Sequence, residues 1–325
     1  STLPFLFKVL AVAQPLSLQV HPNARQARQG FDREEGLGLD LQAPERTYRD
    51  PNPKPECICA LEPFWGLNGF RPAKEIASWF DLLAPQGLSR ECEMLTSMEE
   101  AAGLAAMLRS LLTMEPDRHR GILREVRSSL PKVEGESREE PGYWLRVLLQ
   151  AYPRDIGVLA PFFLRLMHLQ PGQAMLLSPG RIHAYLHGLG LEIMANSDNV
   201  LRAGLTPKHV DQDELLRVLI CDASPLHELE KVDLGQGRSR YDHLPPQFAL
   251  EVIVHSEGMP DLELSTQGLE ILLCTRGRLM VKDLQGQGKI PLGQGESVCV
   301  PAAVPAYLVQ GQGTLYRART GEQSG

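Results

Sequence analysis

Four side chains able to ligate a divalent cation, Gln19, His21, Glu56 and His183, stand in segments with the texture of β-strands. In Pro15-Leu16-Ser17-Leu18-Gln19-Val20-His21-Pro22, alternation puts Ser17, Gln19 and His21 on one face and Leu16, Leu18 and Val20 on the other. Such a strand buries its aliphatic face and offers a polar row. Glu56 opens a second run, Glu56-Cys57-Ile58-Cys59-Ala60-Leu61, after the extended, proline-bounded stretch Pro51 to Pro55. His183 follows a Pro-Gly turn in a strand, turn, strand pattern from Pro171 to Leu186. Two imidazoles, one carboxylate and one amide oxygen suit a borderline cation, zinc first, with manganese, cobalt or iron compatible. Each residue also has an ordinary role when taken singly. One histidine among nine is more often a hydrogen-bonded core or surface residue than a ligand, and Glu56 could simply pair with Lys54 or Arg71.

The elements that must carry these residues change texture along the chain. Residues 1 to 72 are strand-like, with an irregular glycine-rich and charged loop from Gly30 to Asp50. Helices are predicted over 73–83, 117–130 and 141–151, interrupted by Pro116, Pro131, Pro141 and Pro153. Another helix follows Ser97-Met98-Glu99-Glu100, a capping-box pattern, with Ala101, Leu104, Ala105, Leu108, Leu111 and Leu112 at helical spacing. Asp211 caps a short helix that carries Leu215, Leu216 and Leu219. Strands then resume to the end. A faint repeat aligns Gly172 to Leu186 with Gly295 to Leu308, putting Pro305 where the first copy has His183.

Composition restricts the function. The 325 residues are 43% hydrophobic, enough for two or three cores at roughly 150 residues per domain. A net charge of −7 without any basic run argues against nucleic acid. No apolar stretch is long enough for a bilayer span, so no membrane partner is expected. The six cysteines show neither C-x-x-C spacing nor the density of a disulfide scaffold, so a reducing, cytoplasmic setting is expected and a cysteine zinc site is not.

Longer motifs give a resemblance. Leu3-Pro4-Phe5-Leu6-Phe7-Lys8, the Gln19/His21 strand, Lys54-Pro55-Glu56, Gly69-Phe70-Arg71, His183-Ala184-Tyr185-Leu186 and the long run Glu192 to Lys208 together resemble type I phosphomannose isomerase, within the cupin superfamily. The resemblance implies a mainly β fold with an inserted α-helical domain and two cupin-like jelly-roll barrels, the first metal-bearing and the second degenerate. The expected divisions are 1–72, the start of the catalytic barrel; 73–152, helical; 153–222, the rest of that barrel; and 223–325, the degenerate one. Family members carry several tens of residues ahead of the Leu-Pro-Phe-Leu-Phe-Lys segment, so a truncated start is expected here. A smaller departure is Pro53, where the family tends to have histidine.

What the family implies is one zinc ion held by Gln19, His21, Glu56 and His183, with Arg202 catalytic, in an enzyme expected to be a monomer that interconverts mannose 6-phosphate and fructose 6-phosphate through an enediol. Ser17, Lys54 and Lys208 are candidates for phosphate or hydroxyl contacts. Glu192 or Asp198 supplies the base, and the sequence does not choose between them. Without the resemblance, the run Asn196-Ser197-Asp198-Asn199 reads more simply as a hydrogen-bonded loop. Two other classes remain compatible with the residues: a non-catalytic sugar-phosphate binder, and a cupin iron oxygenase using the two histidines and one carboxylate.

Overall fold

The computed structural model describes residues 3–133, 135–286 and 288–321. The first part is an antiparallel sheet of eight strands: β1 (Phe5–Val12), β2 (Leu18–Val20), β3 (Glu56–Ala60), β4 (Phe64–Phe70), β5 (Leu164–Leu169), β6 (Ala174–Leu177), β7 (His183–Ala195) and β8 (Leu201–Gly204). Helices interrupt it: α1 (Ala24–Gly36) after β2, and between β4 and β5 the run α2 (Ala73–Leu83), α3 (Ser89–Ser97), α4 (Glu100–Leu112), α5 (Pro116–Val133), α6 (Pro141–Ala151) and the short α7 (Ala160–Phe163). After β8 come α8 (Gln212–Val218) and a second antiparallel sheet, β9 (Lys231–Gly235), β10 (Arg238–Tyr241), β11 (Ala249–His255), β12 (Leu262–Ser265), β13 (Glu270–Asp283), β14 (Lys289–Gly293), β15 (Ser297–Val300) and β16 (Ala306–Arg319).

Strand β7 organises the site. Its first half pairs with β2 and β4, with His183 opposite Gln19 and Asn68, while its second half pairs with β1 and β3. Gly188 lies between the halves at φ 130°, and a Cβ there would come within 2.7 Å of the Pro63 carbonyl oxygen. Only glycine meets both demands. In the second half, alternation aims Glu192 and Met194 to the same face as Glu56 and Ile58, while Leu191 and Ile193 join Phe5, Cys57 and Cys59 on the opposite face. That opposite face packs on Tyr241, Phe248, Leu250 and Tyr316 of the second sheet, so one face of β3 and β7 bears polar groups and the other seals the two sheets together. The helical run forms a continuous apolar core with Leu18, Leu67, Phe70 and Leu201 of the first sheet.

Several sequence expectations change. The supposed loop from Gly30 to Asp50 begins inside α1, which Asn23 and Gln26 start with a reciprocal capping box; that Asn-x-x-Gln pattern was the available signal. Gly30 is where Tyr48 lies against the helix, since a Cβ there would meet its ring at 2.2 Å. Helix α3 has few buried positions, Glu91 and Leu95, and so no clear apolar period. Ser97 ends α3 and does not cap α4; Glu99 does, its carboxylate accepting from the Ala102 amide. Pro131 does not end α5: the helix runs two residues past it to Val133, although the proline gives up its own bond to the carbonyl four residues back. Leu16 is exposed and not on a buried face, because regular pairing starts only at Leu18. Helices 73–83 and 141–151, the Asp211 cap and the strand, turn, strand unit around His183 agree with expectation. All six cysteines are free, and no helix among the described residues is long and apolar enough to cross a membrane.

Candidate metal centre and adjoining cavity

His21 follows β2, Glu56 opens β3 and His183 opens β7, and the pairing of those strands brings the three together. Their ligand atoms all lie within 4.8 Å of one another, and all three residues are buried. The His21 and His183 ring centroids are 5.0 Å apart. His21 Nδ1 is 2.9 Å from the Asn199 carbonyl oxygen, and His183 Nδ1 is 3.0 Å from that of Arg181. A carbonyl only accepts, so each Nδ1 carries the proton and each Nε2 presents a lone pair.

Those two Nε2 atoms have no hydrogen-bond partner, yet they face the Glu56 carboxylate at 3.4 Å and 3.7 Å. Burial pushes His21 below its ordinary value despite the pull of Glu56, which keeps the imidazole neutral. Burial alone would raise the Glu56 carboxyl, and the Lys54 ammonium pulls it the other way. Lone pairs and an anion converging without a proton between them repel one another; a divalent cation at their centre reverses the sign of that interaction. The donor set fits zinc, with backbone carbonyls fixing both tautomers as metal-ligating histidines require.

The other expected residues divide. Gln19 is half-buried and lies directly opposite both His183 and Arg202, so these side chains leave the sheet on one face. Lys54 points at the metal group, its Nζ 3.1 Å from Glu56 Oε1, which also bears out the simple ion pair read from sequence. Arg71 pairs instead with Glu75. Arg202, Asp198 and Lys208 line a cavity of about 600 Å³ with Arg46, Thr47, Arg49 and others. Ser17, half-buried before β2, does not line it. Glu192 is buried deeper along β7, accepting from Tyr185 Oη at 3.1 Å with Lys8 Nζ 3.5 Å away. Burial, then Glu56, raises its carboxyl above the ordinary value, and burial likewise pushes the Tyr185 phenol well up.

The hydrogen-bonded loop expected at Asn196 to Asn199 is present as well. Asn199 is fully buried; its side chain accepts from the Arg49 amide at 2.8 Å and donates to the Asp50 and Asn52 carbonyls, while its own carbonyl orients His21. Sequence reasoning gave no role to Lys8 or Tyr185, and to Asn199 only that of a hydrogen-bonded loop residue. Their partners are 147 to 184 positions away in three of the four contacts and seven away in the fourth, and no local pattern carries that information.

The family model for the catalytic domain of type I phosphomannose isomerase matches residues 1–73. Mannose-6-phosphate isomerase of Escherichia coli (strain K12) is 38% identical over 315 residues, which is 97% of this chain and 78% of that protein. This chain belongs to the type I phosphomannose isomerase family. The rat mannose-6-phosphate isomerase is 36% identical over 332 residues, 94% of this chain and 76% of its own length. A crystal structure of the Salmonella typhimurium enzyme bound to its substrate and a zinc atom is 34% identical with a TM-score of 0.89, covering 98% of this chain and 79% of that one. The mainly β architecture with two antiparallel sheets and helices is thus that of the phosphomannose isomerases.

Proposed function

We infer that this chain is a zinc-dependent aldose–ketose isomerase that interconverts mannose 6-phosphate and fructose 6-phosphate through an enediol. The observation that carries the reading is the pair of bare Nε2 atoms facing one carboxylate in a buried group, with Arg202, the strand partner of Gln19, lining a cation-rich cavity. His21, Glu56 and His183 hold one zinc, with Gln19 as the fourth ligand from the neighbouring strand position. Bound zinc supplies Lewis-acid polarisation of the sugar's carbonyl and hydroxyl oxygens.

The remaining work falls to the chain's own groups. Arg202 presents a permanent cation where charge develops on the enediolate oxygen. Asp198, exposed and bordering the cavity, is the base that takes the C2 proton and returns it at C1; Glu192 does not border it and is held by Tyr185 and Lys8. Lys208, on the cavity wall, contacts the phosphate or a hydroxyl. Lys54 keeps Glu56 ionised.

The architecture behind this is two cupin-like barrels divided as 1–72 with 153–222, and 223–325, with the helical block 73–152 inserted. Support comes from Gly172 and Gly295, both at φ 84° and both two residues ahead of a four-residue strand that precedes a long one. The enzyme is expected to act as a cytoplasmic monomer.

A coupled assay of fructose 6-phosphate formation, run with and without chelator, tests the reading. Activity should vanish on chelation and return with zinc. Turnover indifferent to chelation removes the metal, and zinc retention with sugar-phosphate binding but no turnover makes the protein a binder.

A further inference from the structure

A row of side chains crosses the first sheet at the level of the metal group, one from each of four adjacent strands. In the order β8, β2, β7, β4 it reads Arg202, Gln19, His183, Asn68, each directly opposite the next and so on one face. Arg202 ends the row in the cation-rich cavity described above. At the other end Asn68 lines a second cavity, of about 730 Å³. The metal group therefore stands between two cavities.

Their charges are opposite. Arg46, Arg49, Arg202 and Lys208 line the first with one carboxylate, Asp198. Three carboxylates, Asp222, Glu228 and Glu230, line the second with one cation, Arg181, which already pairs with Asp222 at 3.2 Å. Glu228 and Glu230 are exposed. A small cation approaching from solvent is drawn to the second cavity and turned away from the first.

Inside, the second cavity holds an unused donor atom for a cation. Asn68 is 2% exposed, and its Oδ1 has no hydrogen-bond partner among the described residues. Its amide nitrogen donates to Met175 Sδ at 3.2 Å, which leaves the oxygen as the free atom. An unpaired buried amide oxygen is unfavourable, and a cation or its hydration water satisfies it. The wall of this cavity also holds the metal ligands. The Arg181 carbonyl accepts from His183 Nδ1, the Gly180 amide donates to the His21 carbonyl at 2.7 Å, and Leu177 pairs with Glu56. Each of the three ligands thus touches the segment 177–181 that walls the cavity.

We propose that the cavity at Asn68 is the route by which zinc reaches and leaves the metal group, with Glu228 and Glu230 gathering the hydrated cation and Asn68 Oδ1 passing it toward His183. The proposal rests on the isomerase reading for the metal and on nothing in the catalytic step. Ion and sugar phosphate then use opposite ends of the row.

The test is stopped-flow zinc uptake by protein stripped with chelator, followed with a chromogenic zinc indicator, together with zinc release from loaded protein into excess chelator. Wild type is compared with the double variant Glu228→Gln/Glu230→Gln, with Ser224→Trp at an exposed position of the lining, and with Lys208→Gln in the other cavity. Uptake in the double variant should be slower by roughly 10-fold at low ionic strength and by much less at high salt, since carboxylates at the mouth no longer concentrate the cation. Ser224→Trp should slow uptake and release by the same factor and leave the zinc content at equilibrium unchanged, because an obstructed path alters rates and not affinity. Lys208→Gln should take up zinc at the wild-type rate. Wild-type rates in either the double variant or Ser224→Trp, or faster uptake in Lys208→Gln, overturn the route and leave the isomerase reading intact. A wild-type protein that takes up no zinc removes the metal reading, and the route with it.

Discussion

His21 and His183 each commit one ring nitrogen to a backbone carbonyl and leave the other aimed at Glu56. The proton positions are therefore set before any ion arrives, and the group is organised for a cation by the chain itself. Replacing either imidazole should lose the ion, whereas Arg202 lies across the sheet pairing from Gln19 and is not among the ligands. His183→Ala should accordingly bind little zinc by atomic absorption, and Arg202→Ala should retain it while losing turnover. Equal zinc loss in both contradicts the assignment. For the base, Asp198→Asn should lower kcat by about 10²-fold or more, the usual worth of a positioned base, and Glu192→Gln should cost less. The reverse order would move the base to Glu192.

At the scale of elements, α1 and α8 are clasped by Glu214. It accepts from Tyr48 Oη at 2.7 Å and pairs with Arg33 and Arg217 at 2.9 Å and 2.8 Å. Burial raises its carboxyl, but Tyr48 and Arg33 outweigh burial and leave it below the ordinary value. A carboxyl depressed in the folded state adds stability that is fully present above its unfolded pKa, about 4.3, and is lost as pH falls through the folded value. Glu214→Gln should therefore cost about 1–3 kcal/mol at pH 7 by urea denaturation, with the difference from wild type shrinking below about pH 4. A pH-independent difference would mean that packing, not ionisation, is what the carboxylate contributes. The same clasp brings Tyr48 over Gly30 and so sets the path of the chain toward Asp50, which Asn199 then grips.

At the scale of the whole molecule, the two sheets treat buried charge differently. The first converges lone pairs and a carboxylate. The second closes its charges on themselves: Arg317 donates to both oxygens of Glu270 at 2.8 Å and 2.6 Å and to Glu251 at 3.2 Å, Tyr307 Oη donates to Glu270, and Arg238 takes the other Glu251 oxygen. With every acceptor used, that network leaves nothing for a ligand. Removing Arg317 would strand Glu270 in the interior, so Arg317→Met should destabilise the protein by about 3–5 kcal/mol in denaturation while leaving zinc content unchanged. Loss of zinc in parallel would show that the second sheet supports the metal group through the shared Cys59, Tyr241 and Tyr316 core.

Much of this was legible in order along the chain, because it depends on local chemistry. Apolar spacing and proline punctuation located α2 and α6, the Asp211 carboxylate started α8, and the alternation at Gln19 and His21 gave their common face. Helix α1 was signalled by Asn23 and Gln26 but lay inside a stretch of charge and glycine whose composition reads as loop. The residue types of the metal group were readable because imidazole, carboxylate and amide are chemically distinctive. Their meeting was a matter of strand register: Gln19 faces His183 across 164 positions, and only hydrogen-bonded pairing decides which residues of β2, β3 and β7 stand opposite one another. Only the tertiary structure, likewise, separated Arg49 from Arg46, two residues of the same type three positions apart, one consumed by buried carboxylates and the other left facing a cavity. The energy of an ionisable side chain is set by what surrounds it in space, and sequence order does not encode that neighbourhood.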